Sequence, residues 1–300
     1  MPDKVTVATT WLQGCSGCHI ALFDLDEELL DVLEIIDLKA APVMDVKQLP
    51  DVDIGLVEGC VANDDNEEVL KHMREKSKKL VALGTCACFG GICGLRNLYH
   101  LHDVLERGYV TTESTVDGHI PQSADIPKLK EYVRPIDQVV KVDGYIPGCP
   151  PLPELIKEGL LALTRGELPE IKTRNLCEEC TRKKSKMLTA TRDYLTAAVC
   201  SPNELEEIDP HVCFLEQGVL CMGPATREGC DARCLHGNMP CRGCMGPTPD
   251  AQEQGAKMIN ALSSILPAGA LMFQEDVVGV GYRYSMPVSI FPHLSNKKKE

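Results

Sequence analysis

Cysteine is the residue type whose number and spacing in this chain could do chemistry. The 300 residues include sixteen cysteines. In the first half, six of the seven lie in short loops that follow apolar segments, at Cys15, Cys18, Cys60, Cys86, Cys88 and Cys149. Thiolates are the preferred ligands of zinc and of iron-sulfur clusters. These loops are therefore the first candidates for a metal site.

The start of the chain bears on the redox state of these thiols. Met1-Pro2-Asp3-Lys4 runs into Val5-Thr6-Val7 without the apolar core of a signal peptide or a twin arginine. No apolar run approaches the roughly 20 residues that span a membrane. We therefore expect a cytoplasmic protein with no membrane span. The cytoplasm keeps thiols reduced, so metal or cluster ligation explains sixteen cysteines better than disulfides do.

The charge balance argues against one class of partner. The chain has 44 acidic residues against 31 Lys and Arg, for a net charge of -13. Binding to a phosphate backbone depends on cationic contacts, so we expect no nucleic-acid partner.

The apolar pattern of the first half predicts strands that alternate with helices. We predict strands at residues 5–10, 38–43, 52–57, 79–84 and 139–146, and helices at residues 20–35, 64–78 and 152–163. The less regular stretch 88–139 is interpreted as an insertion. This alternation favours an α/β fold with a doubly wound parallel sheet.

In such a sheet, ligands bind beyond the carboxyl ends of the strands, which is where these cysteines stand. A cubane cluster needs four converging thiolates, and nearby glycines let the backbone approach its sulfides. We assign a first site to Cys15, Cys18, Cys86 and Cys149. Cys60 and Cys88 remain rivals for one of the positions.

The pattern changes after residue 166, where Gly, Pro and Cys interrupt the periodic runs. Nine of the sixteen cysteines lie beyond this point. We therefore predict two domains, residues 1–166 and an irregular, metal-ordered module at 167–300. Its cysteines form two groups: Cys177, Cys180, Cys213 and Cys221, and Cys230, Cys234, Cys241 and Cys244. The remaining Cys60, Cys88, Cys93 and Cys200 are interpreted as small buried apolar residues.

Other interpretations of these residues are open. Zinc could bind the Cys177/Cys180 and Cys241/Cys244 pairs, although zinc sites seldom join one CxxC to single cysteines from distant strands. Thiol-disulfide exchange at Cys15/Cys18 would leave fourteen cysteines unexplained. A flavin phosphate is disfavoured because cysteines occupy its loop. His19 is expected to pack at a helix start, while His211 and His236 are unneeded as ligands.

Several motifs in one order resemble the small subunit of nickel-iron hydrogenases. They are Trp11-Leu12-Gln13-Gly14-Cys15-Ser16-Gly17-Cys18-His19, Glu58-Gly59, Gly84-Thr85-Cys86-Ala87 with Gly90-Gly91, Pro147-Gly148-Cys149-Pro150-Pro151, Cys221-Met222-Gly223-Pro224-Ala225-Thr226, and Pro240-Cys241-Arg242-Gly243-Cys244-Met245-Gly246-Pro247. The match covers nearly the whole chain. The short length is similar to the methyl-viologen-reducing hydrogenases of methanogens.

The resemblance implies a flavodoxin-like first domain and three 4Fe-4S clusters. The proximal cluster would be ligated by Cys15, Cys18, Cys86 and Cys149, and the medial cluster by Cys230, Cys234, Cys241 and Cys244. The distal cluster would be ligated by Cys177, Cys180, Cys213 and Cys221. Periplasmic members have a histidine where Cys177 stands and often a three-iron medial cluster, whereas Cys234 here offers a fourth thiolate.

The resemblance also implies an electron-relay subunit that catalyses no hydrogen chemistry itself. Its partners would be the nickel-iron large subunit, an iron-sulfur adaptor subunit and a heterodisulfide reductase. The alternatives are the small subunit of a deazaflavin-reducing hydrogenase or of a sulfhydrogenase, and, from another class, a zinc-stabilised scaffold.

Overall fold

The computed structural model describes residues 4–184, 208–263 and 276–290. The strands are β1 Val5–Trp11, β2 Ile36–Ala40, β3 Val52–Glu58, β4 Val61–Asn63, β5 Ser77–Leu83, β6 Leu129–Arg134 and β7 Gly144–Ile146. The α-helices are α1 Gly17–Phe23, α2 Glu28–Ile35, α3 Asp64–Lys76, α4 Gly84–Phe89, α5 Leu101–Tyr109, α6 Pro153–Thr164, α7 Arg233–His236, α8 Gln254–Ser263 and α9 Val277–Gly281. No described helix is long and apolar enough to cross a membrane.

The central sheet has five strands in the order β2-β1-β3-β5-β7, and all four pairings are parallel. A small antiparallel pair, β4-β6, lies beside it. Buried residues cover both faces of the sheet. Val7, Ile54 and Val81 belong to one core with residues of α1, α2 and α6, while Ala8 and Val57 belong to another with residues of α3. The predicted doubly wound parallel sheet is confirmed.

The strand register aligns the carboxyl ends of the central strands. Trp11 pairs with Glu58, Glu58 with Leu83, and Leu83 with Ile146. The chain order reverses direction between β1 and β3, which is the position where open α/β sheets bind ligands. Every cysteine loop of the first half therefore starts from the same edge of the sheet.

Two predicted elements differ from the structure. The helix predicted over residues 20–35 is two helices, because residues 24–27 form a turn in which Asp26 has φ 50°. The strand predicted over residues 139–146 is only Gly144–Ile146. Residues 139–143 form no strand and follow a 3₁₀ turn, Ile136–Gln138, which comes directly after Pro135. The start of α3 agrees with the prediction, since Asn63 caps it and Asp64 and Asp65 lie in its first turn.

The chain divides into two compact units, Met1–Ile171 with Tyr284–Glu300, and Lys172–Arg283, as far as these ranges are described. The predicted boundary after residue 166 lies five residues earlier. Residues 167–171 stay with the first unit because Pro169 is buried against Gly144 and Gly159. A linear division also misses the return of residues 284–290, whose Pro287 lies against Gly90 and Gly94.

The second unit contains little regular structure among its described residues. Two short bridges, Asn175 with Arg227 and Lys183 with Val212, join distant segments. Its buried core combines apolar side chains such as Leu176, Phe214 and Met258 with two cysteines, Cys221 and Cys241. Cysteines thus occupy places that apolar side chains would fill in a conventional core.

Candidate metal centres

The first group of cysteines stands on the loops that leave the aligned strand ends. Cys86 follows Leu83 by three residues, and Cys149 follows Ile146 by three. The two loops are joined by hydrogen bonds: Thr85 N donates to Gly148 O at 2.8 Å, and Gly148 N donates to Thr85 Oγ1 at 3.0 Å. The backbone thereby fixes the separation of Cys86 and Cys149.

Glycines make room for the sulfur atoms at this edge. A Cβ at Gly84 would lie 2.2 Å from Cys18 Sγ, and one at Gly91 would lie 2.5 Å from Cys86 Sγ. Both glycines have positive φ, 83° and 56° respectively, which side-chain-bearing residues rarely adopt. The sequence needs glycine here for the close approach and for the backbone conformation.

The structure brings the four predicted ligands of this site together. The Cys18 sulfur interacts electrostatically with Cys15 and Cys149, and Cys86 interacts with Cys149. Cys18, Cys86 and Cys149 are buried or half-buried, whereas Cys15 is exposed.

Cys60 and Cys88, the other candidate ligands of the first site, make different contacts. Cys88 is buried, and its thiol donates to Ala82 O at 3.7 Å, although it also lies within electrostatic range of Cys18. Cys60 is fully buried and donates to Gln13 O at 3.2 Å.

Cys93, which the sequence analysis interprets as a small buried apolar residue, is half-buried and packs against the cluster of Cys60, with Cys86 beside it. The neighbouring Cys60 and Cys86 thiols hold the pKa of Cys93 below its ordinary value. The nearby Gly90-Gly91 turn was the available signal, because it folds the chain back towards Cys86.

A buried carboxylate supports the loop that carries Cys15 and Cys18. Glu58 is 2% exposed and accepts hydrogen bonds from Cys18 N at 3.3 Å and His19 N at 3.1 Å. Its side chain also pairs with His19 Nδ1. Burial raises the pKa of Glu58, but the bonds from His19 and Cys18 outweigh it and lower the pKa overall. His19 packs at the helix start as expected, edge-on to Trp11.

In the second unit, Cys177, Cys180, Cys213 and Cys221 line one small cavity. Gly223 closes one side, where an added Cβ would lie 3.3 Å from Cys177 Sγ and 3.6 Å from Cys221 Sγ. These four cysteines are the set predicted for the distal cluster.

The same cavity is lined by two basic residues, Arg182 and Lys184. Sequence reasoning did not single them out, although a basic run, Arg182-Lys183-Lys184, follows the Cys177/Cys180 motif. Lys184 Nζ donates a hydrogen bond to the Cys177 sulfur. The bridge between Lys183 and Val212 holds this segment next to Cys213.

The remaining predicted group also comes together. Cys230 interacts electrostatically with Cys234 and Cys244, and Cys241 with Cys244. This group adjoins the cavity, because Cys241 N donates to Cys221 Sγ at 3.4 Å. His211 and His236 are exposed and do not line the cavity. Cys200 lies outside the described residues.

The electrostatics of the thiols fit a bound cluster. Burial raises the pKa of Cys221 and Cys230 to about 12 and that of Cys149 to about 11. Such thiols become thiolates only when a cation compensates their charge, which iron ions do. Among the described residues, Arg182 Nε and Glu179 Oε2 are buried polar atoms without a hydrogen-bond partner. Arg182 Nε–H is available as a donor to an acceptor in the cavity.

Comparison with known proteins bears on what these thiols bind. A family model described as "NADH ubiquinone oxidoreductase, 20 Kd subunit" matches residues 15–163. One subunit of the F420-non-reducing hydrogenase of Methanothermobacter marburgensis is 39% identical over 99% of both chains. The corresponding subunit of the vhu F420-non-reducing hydrogenase of Methanocaldococcus jannaschii is 42% identical over 94% of this chain and 95% of its own. The chain belongs to the nickel-iron hydrogenase small-subunit family.

A solved structure supports the same assignment. A chain of an NAD+-reducing [NiFe]-hydrogenase matches with a TM-score of 0.54 and 37% identity, over 56% of this chain and 95% of its own. The protein is therefore a hydrogenase subunit with an electron-transfer role, and its family implies a large-subunit partner.

Proposed function

We propose that this chain holds three 4Fe-4S clusters and relays electrons from hydrogen oxidation on a large subunit to a further partner. The ligand sets are Cys15, Cys18, Cys86 and Cys149; Cys230, Cys234, Cys241 and Cys244; and Cys177, Cys180, Cys213 and Cys221. Three cubanes with these ligands would leave Cys60, Cys88, Cys93 and Cys200 as non-ligands.

The observation that carries the proposal is that Cys177, Cys180, Cys213 and Cys221 line one cavity. Electrostatic contacts also link the members of the other two proposed sets, Cys15, Cys18, Cys86 and Cys149, and Cys230, Cys234, Cys241 and Cys244. Four converging thiolates are what a cubane requires. The hydrogen bond from Cys241 N to Cys221 Sγ supports a relay, since it joins the ligands of two sets directly.

A bound 4Fe-4S cluster supplies one-electron redox chemistry and exchanges no proton of its own. The residues of this chain supply the surroundings. Gly84 and Gly91 let the loops approach the sulfur atoms closely, and Glu58 fixes the Cys18 backbone. The buried Phe214 and Leu215 in the cavity wall exclude water from the Cys213 set. Burial and charge around each set then adjust its potential.

For the acceptor we propose an iron-sulfur adaptor subunit and a heterodisulfide reductase, with the complex in the cytoplasm. The relatives that cover nearly the whole chain are named for a hydrogenase that does not reduce F420. These names favour this branch over a deazaflavin-reducing hydrogenase. The cytoplasmic location stays a prediction.

The test is the metal content of the chain purified without oxygen. We expect about twelve iron and twelve acid-labile sulfide per chain, and a broad absorption near about 400 nm that bleaches with dithionite. Stoichiometric zinc with little sulfide would contradict the proposal and support the zinc-stabilised scaffold.

A further inference from the structure

The four-cysteine cavity of the second unit has a basic wall. Arg182 and Lys184 line it together with Cys177, Cys180, Cys213 and Cys221. Glu216 acts electrostatically on Cys213, and Glu178 and Glu179 stand between Cys177 and Cys180 in the chain. The described residues that line the cavity itself include these two cations and no carboxylate.

Arg182 is held rigidly in this wall. It is 7% exposed, and its guanidinium carbon lies 3.8 Å from the centroid of the Phe214 ring. Nη1 donates to Asp209 O at 2.8 Å and to Val212 O at 2.9 Å, and Nη2 donates to Asn238 Oδ1. Among the described residues Nε has no acceptor. A buried cation whose bonds go to neutral acceptors keeps its full charge beside the thiolates.

Lys184 acts on the same sulfur atoms by a different route. Its ammonium donates to the Cys177 sulfur and interacts electrostatically with Cys213 and Cys180. Partial burial lowers the pKa of Lys184, but these cysteines outweigh it and raise the pKa overall. Lys184 is exposed, so solvent weakens its field more than that of Arg182. Its direct hydrogen bond to a ligand sulfur compensates for this screening.

At the first site, the charged side chain closest to the proposed ligands is negative. Glu58 is a buried carboxylate that bonds the backbone of Cys18 and acts electrostatically on both Cys18 and Cys149. Arg96 is also near this edge, but it acts on Cys60 and Cys93, which are outside the proposed ligand set. Adding one electron to a cluster makes it more negative by one charge, so cations stabilise the reduced form and carboxylates destabilise it.

We propose that Lys184 and Arg182 raise the reduction potential of the cluster held by Cys177, Cys180, Cys213 and Cys221, so that this cluster collects the electrons of the relay. Lys184 acts through its bond to Cys177, and Arg182 through its buried charge and free Nε–H. The inference rests on the proposed three-cluster function and adds the residues that give the relay its direction.

The test compares Lys184→Gln with Lys183→Gln in the hydrogenase complex purified without oxygen. The control removes the same charge from the adjacent exposed lysine, which is absent from the cavity wall. Redox titrations followed by electron paramagnetic resonance give the midpoint potentials of the clusters. We expect Lys184→Gln to lower one of three potentials while iron stays at the wild-type level. In Lys184→Arg, which keeps the positive charge, this midpoint potential should stay close to its wild-type value. Lys183→Gln should leave all three midpoint potentials unchanged.

A second variant tests the buried cation. Arg182→Lys keeps the charge but removes Nε–H and the Nη donors to Asp209 O, Val212 O and Asn238 Oδ1. At wild-type iron content, we expect it to lower the same potential by less than Lys184→Gln does. Equal potentials in Lys184→Gln and Lys183→Gln at full iron content would overturn the inference. Loss of about four iron in Lys184→Gln would overturn it as well, since the lysine would then hold the site together. A wild-type complex without cluster signals would instead refute the three-cluster function.

Discussion

The site at the sheet edge and the cavity in Lys172–Arg283 each bring four cysteine side chains together, but the two sites are built on different kinds of structure. At the sheet edge, parallel strands in register set the spacing of the cysteine loops before any metal is considered. In the second unit, irregular segments converge on the cavity, and cysteines occupy part of the core. The first site is organised by its fold, whereas we expect the second unit to be organised largely by what its thiols bind.

Removal of iron should have the largest effect of the changes considered, and this effect should differ between the two regions. Structural metal sites contribute roughly 10 kcal/mol or more to the folding of small metal-dependent modules. We expect chelation to abolish hydrogen-exchange protection in Lys172–Arg283, while β1, β3 and β5 stay protected because their core is apolar. Hydrogen exchange followed by mass spectrometry measures both regions in one sample. Equal loss of protection in both units would refute the contrast.

Replacement of a single ligand should have the next largest effect. Cys86→Ser is expected to lose about four iron per chain, because one thiolate of the first set is missing. Cys88→Ser serves as the matched control, since its thiol bonds to Ala82 O within the core. We expect the control to keep its iron and to lose about 1 kcal/mol of unfolding free energy. Iron analysis and urea titration check the pair, and the reverse pattern would exchange their roles.

The close approach of Gly84 to Cys18 can be tested with two glycines of the same conformation. Gly84 and Gly166 both have φ 83°, but an added Cβ meets Cys18 Sγ at Gly84 and no described atom within 4 Å at Gly166. Both Ala variants should lose about 1 kcal/mol from backbone strain. Only Gly84→Ala should also lose iron from the first site. Unchanged iron in Gly84→Ala would show that the loop adjusts.

The smallest expected effect concerns the charge beside the first site. Glu58→Gln removes a buried negative charge while keeping an oxygen that accepts from Cys18 N. We expect one midpoint potential to rise by on the order of 50 mV, which corresponds to roughly 1 kcal/mol for one electron. This shift is opposite in sign to that of Lys184→Gln. A fall in potential would mean that the His19 pair determines the local charge.

The sequence predicted the structure of the first unit in more detail than that of the second. Strands such as Val52–Glu58 and helix Asp64–Lys76 follow from local apolar spacing and capping, so they were close to the observed bounds. The grouping of cysteines after strand ends followed from the general behaviour of parallel sheets. The break at Asp26 could not be predicted in this way, because a positive φ at aspartate leaves the apolar spacing intact.

Contacts between distant segments could not be predicted from the periodicity of the sequence. The contacts of Cys93 with Cys60 and Cys86 depend on how the Gly90-Gly91 turn folds back. The basic wall of the second site depends on a bridge between Lys183 and Val212, which are 29 residues apart in the sequence. Spacing along the chain carries no information about such bridges. The twelve proposed ligands remain a prediction until their iron is counted.

The return of residues 284–290 to the first unit has a consequence for biosynthesis. Pro287 lies against Gly90 and Gly94, and Gln138 Nε2 donates to Pro287 O at 3.3 Å. During translation the N-terminal sheet emerges first, but this part of its packing is missing until residues 284–290 have left the ribosome. The helix that carries Cys86 ends at Phe89, directly before this contact. The packing beside the Cys86 helix is therefore completed only after the second unit has been synthesised.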